Sequence, residues 1–188
     1  MNTVVTSREA ILDVSRELVK RQGQEAVSIR TVAAACGVSV GSIYNYFESK
    51  ADLVAATVES VWCDIFHFPE DKSIFESFIG CAEWIFDSMR SGSEKYPGFF
   101  ASHSMGFSGD EKADGTQLMS RSWEHIRSRL SMVLMHDKNV RPGAFDDVFT
   151  QEKFVEIIFW LVIAALLQQN YDFAGIREMI CRLIYTCE

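Results

Sequence analysis

An all-α fold is predicted for this chain of 188 residues by three features of its sequence. Apolar residues recur at helical spacing, no stretch alternates apolar and polar residues as a half-buried strand does, and repeats and low-complexity tracts are absent. Only 11 glycines and 3 prolines are present, too few turn formers for an all-β sandwich or barrel. A composition of 48% hydrophobic and 23% charged residues is that of an ordinary globular chain, long enough to bury a sizeable core.

Punctuation divides the chain into about nine helical segments. The first, from Thr6 to Gln22, places Ala10, Ile11, Val14, Leu18 and Val19 on one stripe and stops at Gly23. Ser28 is a good N-cap for a second helix reaching Ala35, and Gly37 breaks the chain after it. Ser39 caps a third helix that ends near Asn45. Ser49 caps a fourth that continues to about Phe66, with Asp52 completing a capping-box-like pattern. Further helices are expected at 73–90, 97–104, 116–136, 146–169 and 174–187, with breaks at 91–98 and 137–143 among others. The resulting division is a compact three-helix unit at 1–47, followed at 48–188 by a connecting helix and a larger helical domain.

Charge narrows the partners. The net charge is -8 and the pI about 5.0, which argues against a general polyanion binder. The imbalance lies mostly beyond residue 60: residues 1–60 hold six Lys or Arg against seven Asp or Glu. Any nucleic-acid contact therefore belongs to the first third. Five cysteines without paired spacing, and no secretory leader pattern, suit a reducing cytoplasm. The longest apolar run, Ile157 to Leu167, covers about half of a bilayer core as a helix, so a buried helix is expected there and no membrane span.

The stretch from Ile29 to Phe47 reads as a helix-turn-helix. Two helices cross closely only if the facing residue is small, the turn tolerates positive φ and the surrounding hydrophobes share one core. Ala33 supplies the small residue and Gly37 the turn. Val32, Cys36, Val38, Ile43 and Tyr46 supply the core positions. The start of the second helix, Ser39, Val40, Gly41 and Ser42, then faces the major groove with short side chains that let the backbone approach DNA.

The run SIRTVAAACGVSVGSIYNYFESKADL, Ser28 to Leu53, resembles the DNA-binding signature of the tetracycline-repressor (TetR) family of bacterial transcription regulators. The resemblance covers about residues 6–60; beyond them only helix count and length match. Ser28, Cys36, Val40 and Tyr46 stand where threonine, alanine, a basic residue and histidine are commoner. The resemblance implies a repressor that binds a palindromic double-stranded DNA operator as a homodimer and responds to a small effector. As in similar regulators, Tyr44 would point its hydroxyl at a phosphate. Lys50, in the first turn of a helix whose dipole disfavours a cation, gains from a phosphate at that helix end. Ser28, Arg30 and Ser39 are further phosphate candidates, the serines also serving as caps. Val40, Ser42 and Asn45 are the expected base-edge contacts, Asn45 being able to pair bidentately with adenine.

Enzymatic readings find little support. Gly37 to Gly41 spells the G-x-S-x-G nucleophile elbow, which activates serine only on a strand-to-helix turn, and an alanine-rich helix precedes it here. Cys63 and His67 share a helix face, but without a second ligand pair they read as packing rather than metal binding. With no Walker loop or dinucleotide fingerprint, no catalytic residue, cofactor or metal is expected. The alternative to a regulator is a helical interaction module without DNA affinity.

The large aromatic residues concentrate beyond the helix-turn-helix, and big rings on bundle helices tend to leave an apolar cavity. Trp84, Phe100, His103, Trp123 and Phe159 are the expected wall of a site for a small apolar effector. Glu83 and Asp87 would favour a cation if either faced inward. The connecting helix, with Lys50 at one end and Trp62 and Phe66 at the other, is the expected route from effector to DNA. The helix from Phe154 to Leu167 is apolar nearly all round. The last helix presents Ile176, Met179, Ile180, Leu183 and Ile184 on one stripe. Both are expected to pair with their symmetry mates through residues 150–187, Ala164 and Ala165 permitting close approach.

Overall fold

In the computed structural model residues 6–67, 70–100 and 113–186 are described, those from 113 to 122 by backbone only. They form eight α-helices: α1 (Arg8–Gln22), α2 (Ile29–Cys36), α3 (Val40–Tyr44), α4 (Lys50–Ile65), α5 (Phe78–Lys95), α6 (Ala113–His136), α7 (Gln151–Leu167) and α8 (Ala174–Ile184). Short 3-10 turns occupy Gln24–Ala26 and Lys72–Glu76. The described residues contain no strand beyond one isolated bridge between Val140 and Tyr185, so the all-α expectation is borne out. Residues 101–104 of the expected 97–104 helix lie outside the described residues. No described helix is long and apolar enough to cross a membrane.

The chain divides into two compact units. One holds the described residues up to Ile65 and those from Gly92 to Ser120; the other holds Phe66 to Ser91 and the residues from Arg121 on. The connecting helix α4 falls in the first unit.

Local hydrogen-bond chemistry sets most element ends in the first unit. Ser7 Oγ accepts the N–H of Ala10 to cap α1, which ends at Gly23 with φ 81°. Ser28 and Thr31 form a reciprocal capping box at α2. Gly37 closes α2 in the left-handed region at φ 69°, and the N–H of Val38 reaches back to the carbonyl of Ala33 in a Schellman arrangement. Ser39 Oγ caps α3 by accepting the N–H of Ser42. Ser49 Oγ accepts the N–H of Asp52, and the Asp52 carboxylate accepts the N–H of Glu48, so the expected box reaches one residue further back.

Packing corrects several expectations here. The buried stripe of α1 is Ile11, Leu12, Ser15 and Val19, rotated from the expected one, and Ala10 is exposed. Ser15 is tolerated inside because its hydroxyl donates to the carbonyl of Ile11. Cys36 and Val38 are only half-buried. Tyr46, expected in the core, is 40% exposed, and Phe47 takes the inward place at 1% exposed. The reason is geometric: Phe47 stands four residues after the buried Ile43 and its N–H bonds the Ile43 carbonyl, so it shares the inward face, while the Tyr46 hydroxyl is held outside by the carbonyl of Thr6.

The expected break at 91–98 and the expected helix at 73–90 also shift. Ser77 and Asp137 both satisfy the first turn of α5, so the α-helix starts at Phe78, and it runs through Gly92 to Lys95. Gly92 sits inside the helix because a Cβ there would meet Ile65 at 2.9 Å.

In the second unit a buried carboxylate organises three chain segments. Asp137 accepts the N–H of Phe78 at 2.8 Å, the hydroxyl of Tyr185 at 2.5 Å and the N–H of Asn139 at 2.9 Å. It thereby fixes the start of α5 and the end of α8 against the loop after α6. The expected helix at 146–169 begins later, at Gln151. The Asp146 carboxylate accepts the N–H groups of Val148 and Phe149 to form a turn, and Thr150 caps α7. The α7 side chains Phe154, Val155, Ile158, Phe159, Val162, Ile163 and Leu166 are buried, whereas Ile157, Trp160, Leu161, Ala164 and Leu167 on its opposite face are exposed.

Candidate functional site

The helix-turn-helix is the site whose geometry the sequence specifies most completely. The small core beneath it is made by Ile29, Val32, Ala33, Ile43, Phe47 and Leu53, all buried. Because Ile43 is drawn into that core, the opposite side of α3 faces outward. Val40 is 41% exposed and Tyr44 52% exposed, four residues apart on one stripe. Gly41 and Asn45 lie beside them and are also exposed.

The nine residues singled out for DNA contact fall into three groups. Val40, Gly41, Tyr44 and Asn45 sit together on the outer side of α3 and at its end. Ser28, Ser39 and Ser42 are engaged in capping: the hydroxyls of Ser39 and Ser42 lie 2.9 Å apart, and Ser28 and Thr31 bond each other reciprocally. Arg30 and Lys50 are exposed in the first turns of α2 and α4. Ser39, the centre of the G-x-S-x-G coincidence, occupies a helix N-cap.

Two further residues belong to this surface. The Tyr46 hydroxyl donates to the carbonyl of Thr6 at 2.5 Å, tying the entry of α1 to the chain just after α3. Arg8 holds its guanidinium over the ring of Phe47, 5.3 Å from the centroid, which brings a cation to the turn between α3 and α4. Nothing within the helix-turn-helix run points to Arg8, which lies 39 positions before Phe47 in the sequence. The available signal is that it is the first cation of the chain, at the start of the first helix.

Within the same unit α4 is held by polar contacts along its length. Arg16 of α1 bonds Ser60 and Asp13. Near the end of α4, Asp64 Oδ2 pairs with Lys95 Nζ at 2.6 Å and accepts the Tyr96 hydroxyl at 2.8 Å. Burial pushes the Asp64 carboxyl up, but the hydrogen bonds from Lys95 and Tyr96 outweigh it and hold the group below the usual carboxylate range.

The five candidates for an effector wall are not one cluster. Trp123 and Phe159 meet with ring centroids 5.7 Å apart, and Trp160 joins both. Trp84 packs against Phe66 and Phe75 instead. Phe100 belongs to the first unit, where it packs on Trp62 and Phe99. His103 lies outside the described residues. The carboxylates proposed for a cationic effector are paired at the surface, Glu83 with Arg177 and Asp87 with Arg90, because arginines lie within reach on α8 and one turn along α5. Cys81, buried in the second unit, is a thiol that burial pushes up to about 12, so it packs as an apolar group.

Comparison with known proteins agrees with the resemblance carried by the Ser28–Leu53 run. Residues 11–57 match the family model described as bacterial regulatory proteins, tetR family. Over 51 residues the chain is 41% identical to the HTH-type transcriptional repressor KstR of Rhodococcus jostii, a match that spans 27% of this chain and 24% of that protein. The chain thus aligns with about a quarter of the length of the curated relatives it matches. Over nearly the whole chain the fold is similar to that of solved structures. A TetR transcriptional regulator from Legionella pneumophila superposes with a TM-score of 0.58 at 24% identity, covering 98% of this chain and 100% of that one. The multidrug binding protein EbrR, complexed with imidazole, gives 0.58 at 20% identity, covering 98% of both chains.

Proposed function

We propose, proceeding from residues 11–57 as a tetR-family helix-turn-helix, that the protein is a DNA-binding transcriptional repressor acting as a homodimer on a palindromic operator. The observation that carries this reading is the outward face of α3: a capped helix, seated by Ile43 on a closed core, turns Val40, Gly41, Tyr44 and Asn45 to solvent. Arg8, Arg30 and Lys50 are the cations around it that neutralise phosphates, and Tyr44 donates to a phosphate oxygen. Ser39 contributes its backbone N–H more than its hydroxyl, which is already bonded, whereas the N–H and hydroxyl of Ser28 are both engaged in the capping box with Thr31.

Dimerisation is supported by the apolar stripe of Ile157, Trp160, Leu161, Ala164 and Leu167 on α7, continued on α8 by the exposed Leu183 and the half-buried Ile176 and Met179. Such a stripe calls for a partner surface, and pairing α7 and α8 with their symmetry mates covers it. Effector release is supported by Trp123. Its indole N–H is buried beside Phe159 and has no acceptor among the described residues, so a small, largely apolar molecule bearing one acceptor suits it. Such a ligand lowers operator affinity only by its differential affinity for two states of the protein.

A gel-shift titration on DNA upstream of the protein's own coding region tests the central claim. Binding that resists excess unrelated duplex supports it; indifference to sequence at every salt concentration, or no binding at all, refutes it.

A further inference from the structure

From the make-up of the α3 surface we infer that Val40 reads the C5-methyl group of a thymine, so that each operator half-site carries a thymine opposite the start of α3. This rests on the reading of α2 and α3 as a DNA-binding helix-turn-helix. From Ser39 to Phe47 there is no Lys, Arg, Asp or Glu, so α3 offers neither the cationic bidentate partner of guanine nor the carboxylate acceptor of cytosine. The hydroxyls of Ser39 and Ser42 are bonded to each other, and Ser39 Oγ also accepts the N–H of Ser42. Ile43 is buried. What remains at the leading end of the helix is the isopropyl group of Val40, exposed in a protein that gains nothing from exposing it. In the major groove the one base feature that an isopropyl group recognises is the thymine methyl. A β-branched side chain in a helix is already confined to one χ1 well, so little freedom is lost on contact.

Gly41 is an independent pointer to an external partner at this spot. Its φ is not positive, and a Cβ there would meet nothing nearer than Ser39 Oγ at 3.7 Å. Nothing within the protein therefore requires a glycine, which costs a helix about 1 kcal/mol relative to alanine. The missing side chain leaves room for something outside, next to Val40, to approach the backbone.

Selection of full-length protein on a randomised duplex library supplies the preferred half-site, and its thymines are then replaced singly by deoxyuridine, which removes the methyl and keeps every base-pair hydrogen bond. One position is expected at which replacement weakens binding about fourfold per half-site, the effect of one buried methyl group. Val40→Ala, whose single methyl reaches less far into the groove, is expected to reduce the preference for thymine over uracil at that position. Alanine suits an exposed helical position, and circular dichroism checks that the variant is folded. Replacement without effect at every thymine, or an undiminished thymine preference in Val40→Ala, overturns the assignment while leaving DNA binding in place. Failure to select any duplex overturns both.

Discussion

Gly92 and Ile65 meet so closely that a Cβ on residue 92 would stand 2.9 Å from Cγ1 of Ile65 and 3.0 Å from its Cδ1 and Cγ2. Both residues lie in the first unit, one near the end of α5 and the other at the end of α4. Gly92→Ala gains about 1 kcal/mol of helix propensity and loses about 1–3 kcal/mol to overpacking against a buried, β-branched side chain that has little room to retreat. A net loss of about 1 kcal/mol is expected in denaturant unfolding. In an Ile65→Ala background the same substitution is expected to be neutral or stabilising, since the obstructing atoms are gone. A Gly92→Ala protein as stable as the parent contradicts the close approach.

The Asp64 contacts with Lys95 and Tyr96 predict a specific acid dependence. The folded carboxyl titrates below its ordinary value, so its contribution to stability is complete above the unfolded value, about 3.9, and is lost as pH falls through the folded one. The difference in melting temperature between the parent and Asp64→Asn is expected to be constant from pH 7 to about 5 and to shrink in more acidic buffer. A difference that grows on acidification would contradict the sign of the shift.

What the sequence made legible here is local. Gly23, Ser28, Gly37, Ser39 and Ser49 were all readable as helix ends, because a cap needs only a hydroxyl or a glycine within three residues of its partner N–H or carbonyl. The choice between Tyr46 and Phe47 for the core was not, because residues three and four after Ile43 both neighbour it on a helix, and the contact that holds Tyr46 outside, its bond to Thr6, lies 40 residues away in sequence. Gly92 read as a break because its neighbour Ile65 is distant in sequence. Asp137 read as loop punctuation because its partners Phe78 and Tyr185 lie 59 and 48 residues away. The same applies to the effector residues: the sequence supplies rings, but it does not say that Trp123 meets Phe159 while Trp84 meets Phe66 and Phe75.

Lys50 tests the electrostatic half of the proposed function. It is exposed in the first turn of α4, where the helix dipole gives a cation no benefit, and Asp52 two residues on is committed to the N–H of Glu48. Lys50→Ala is expected to weaken binding to operator and to unrelated duplex alike and to reduce the slope of log K against log salt by about one. A change confined to the operator would make Lys50 a reader of sequence instead.

The exposed side of α7 tests the assembly. Trp160 is 46% exposed and touches Trp123 and Phe159 on its inner edge, while Leu161, next along the helix, is exposed and absent from the buried core. Leu161 is therefore the cleaner probe, because replacing it leaves the described aromatic cluster alone. Leu161→Glu puts a charge into the surface proposed for packing of a symmetry mate, where near a two-fold axis it would also face its own copy. Like charges held together in an apolar interface cost several kcal/mol. The parent is expected to sediment as a dimer at micromolar concentration and Leu161→Glu as a folded monomer. Operator affinity should fall steeply in the monomer, because two half-sites spaced by roughly 34–36 Å are no longer bound together. A parent that sediments as a monomer, or a Leu161→Glu protein that remains a dimer, places the interface elsewhere than this face of α7.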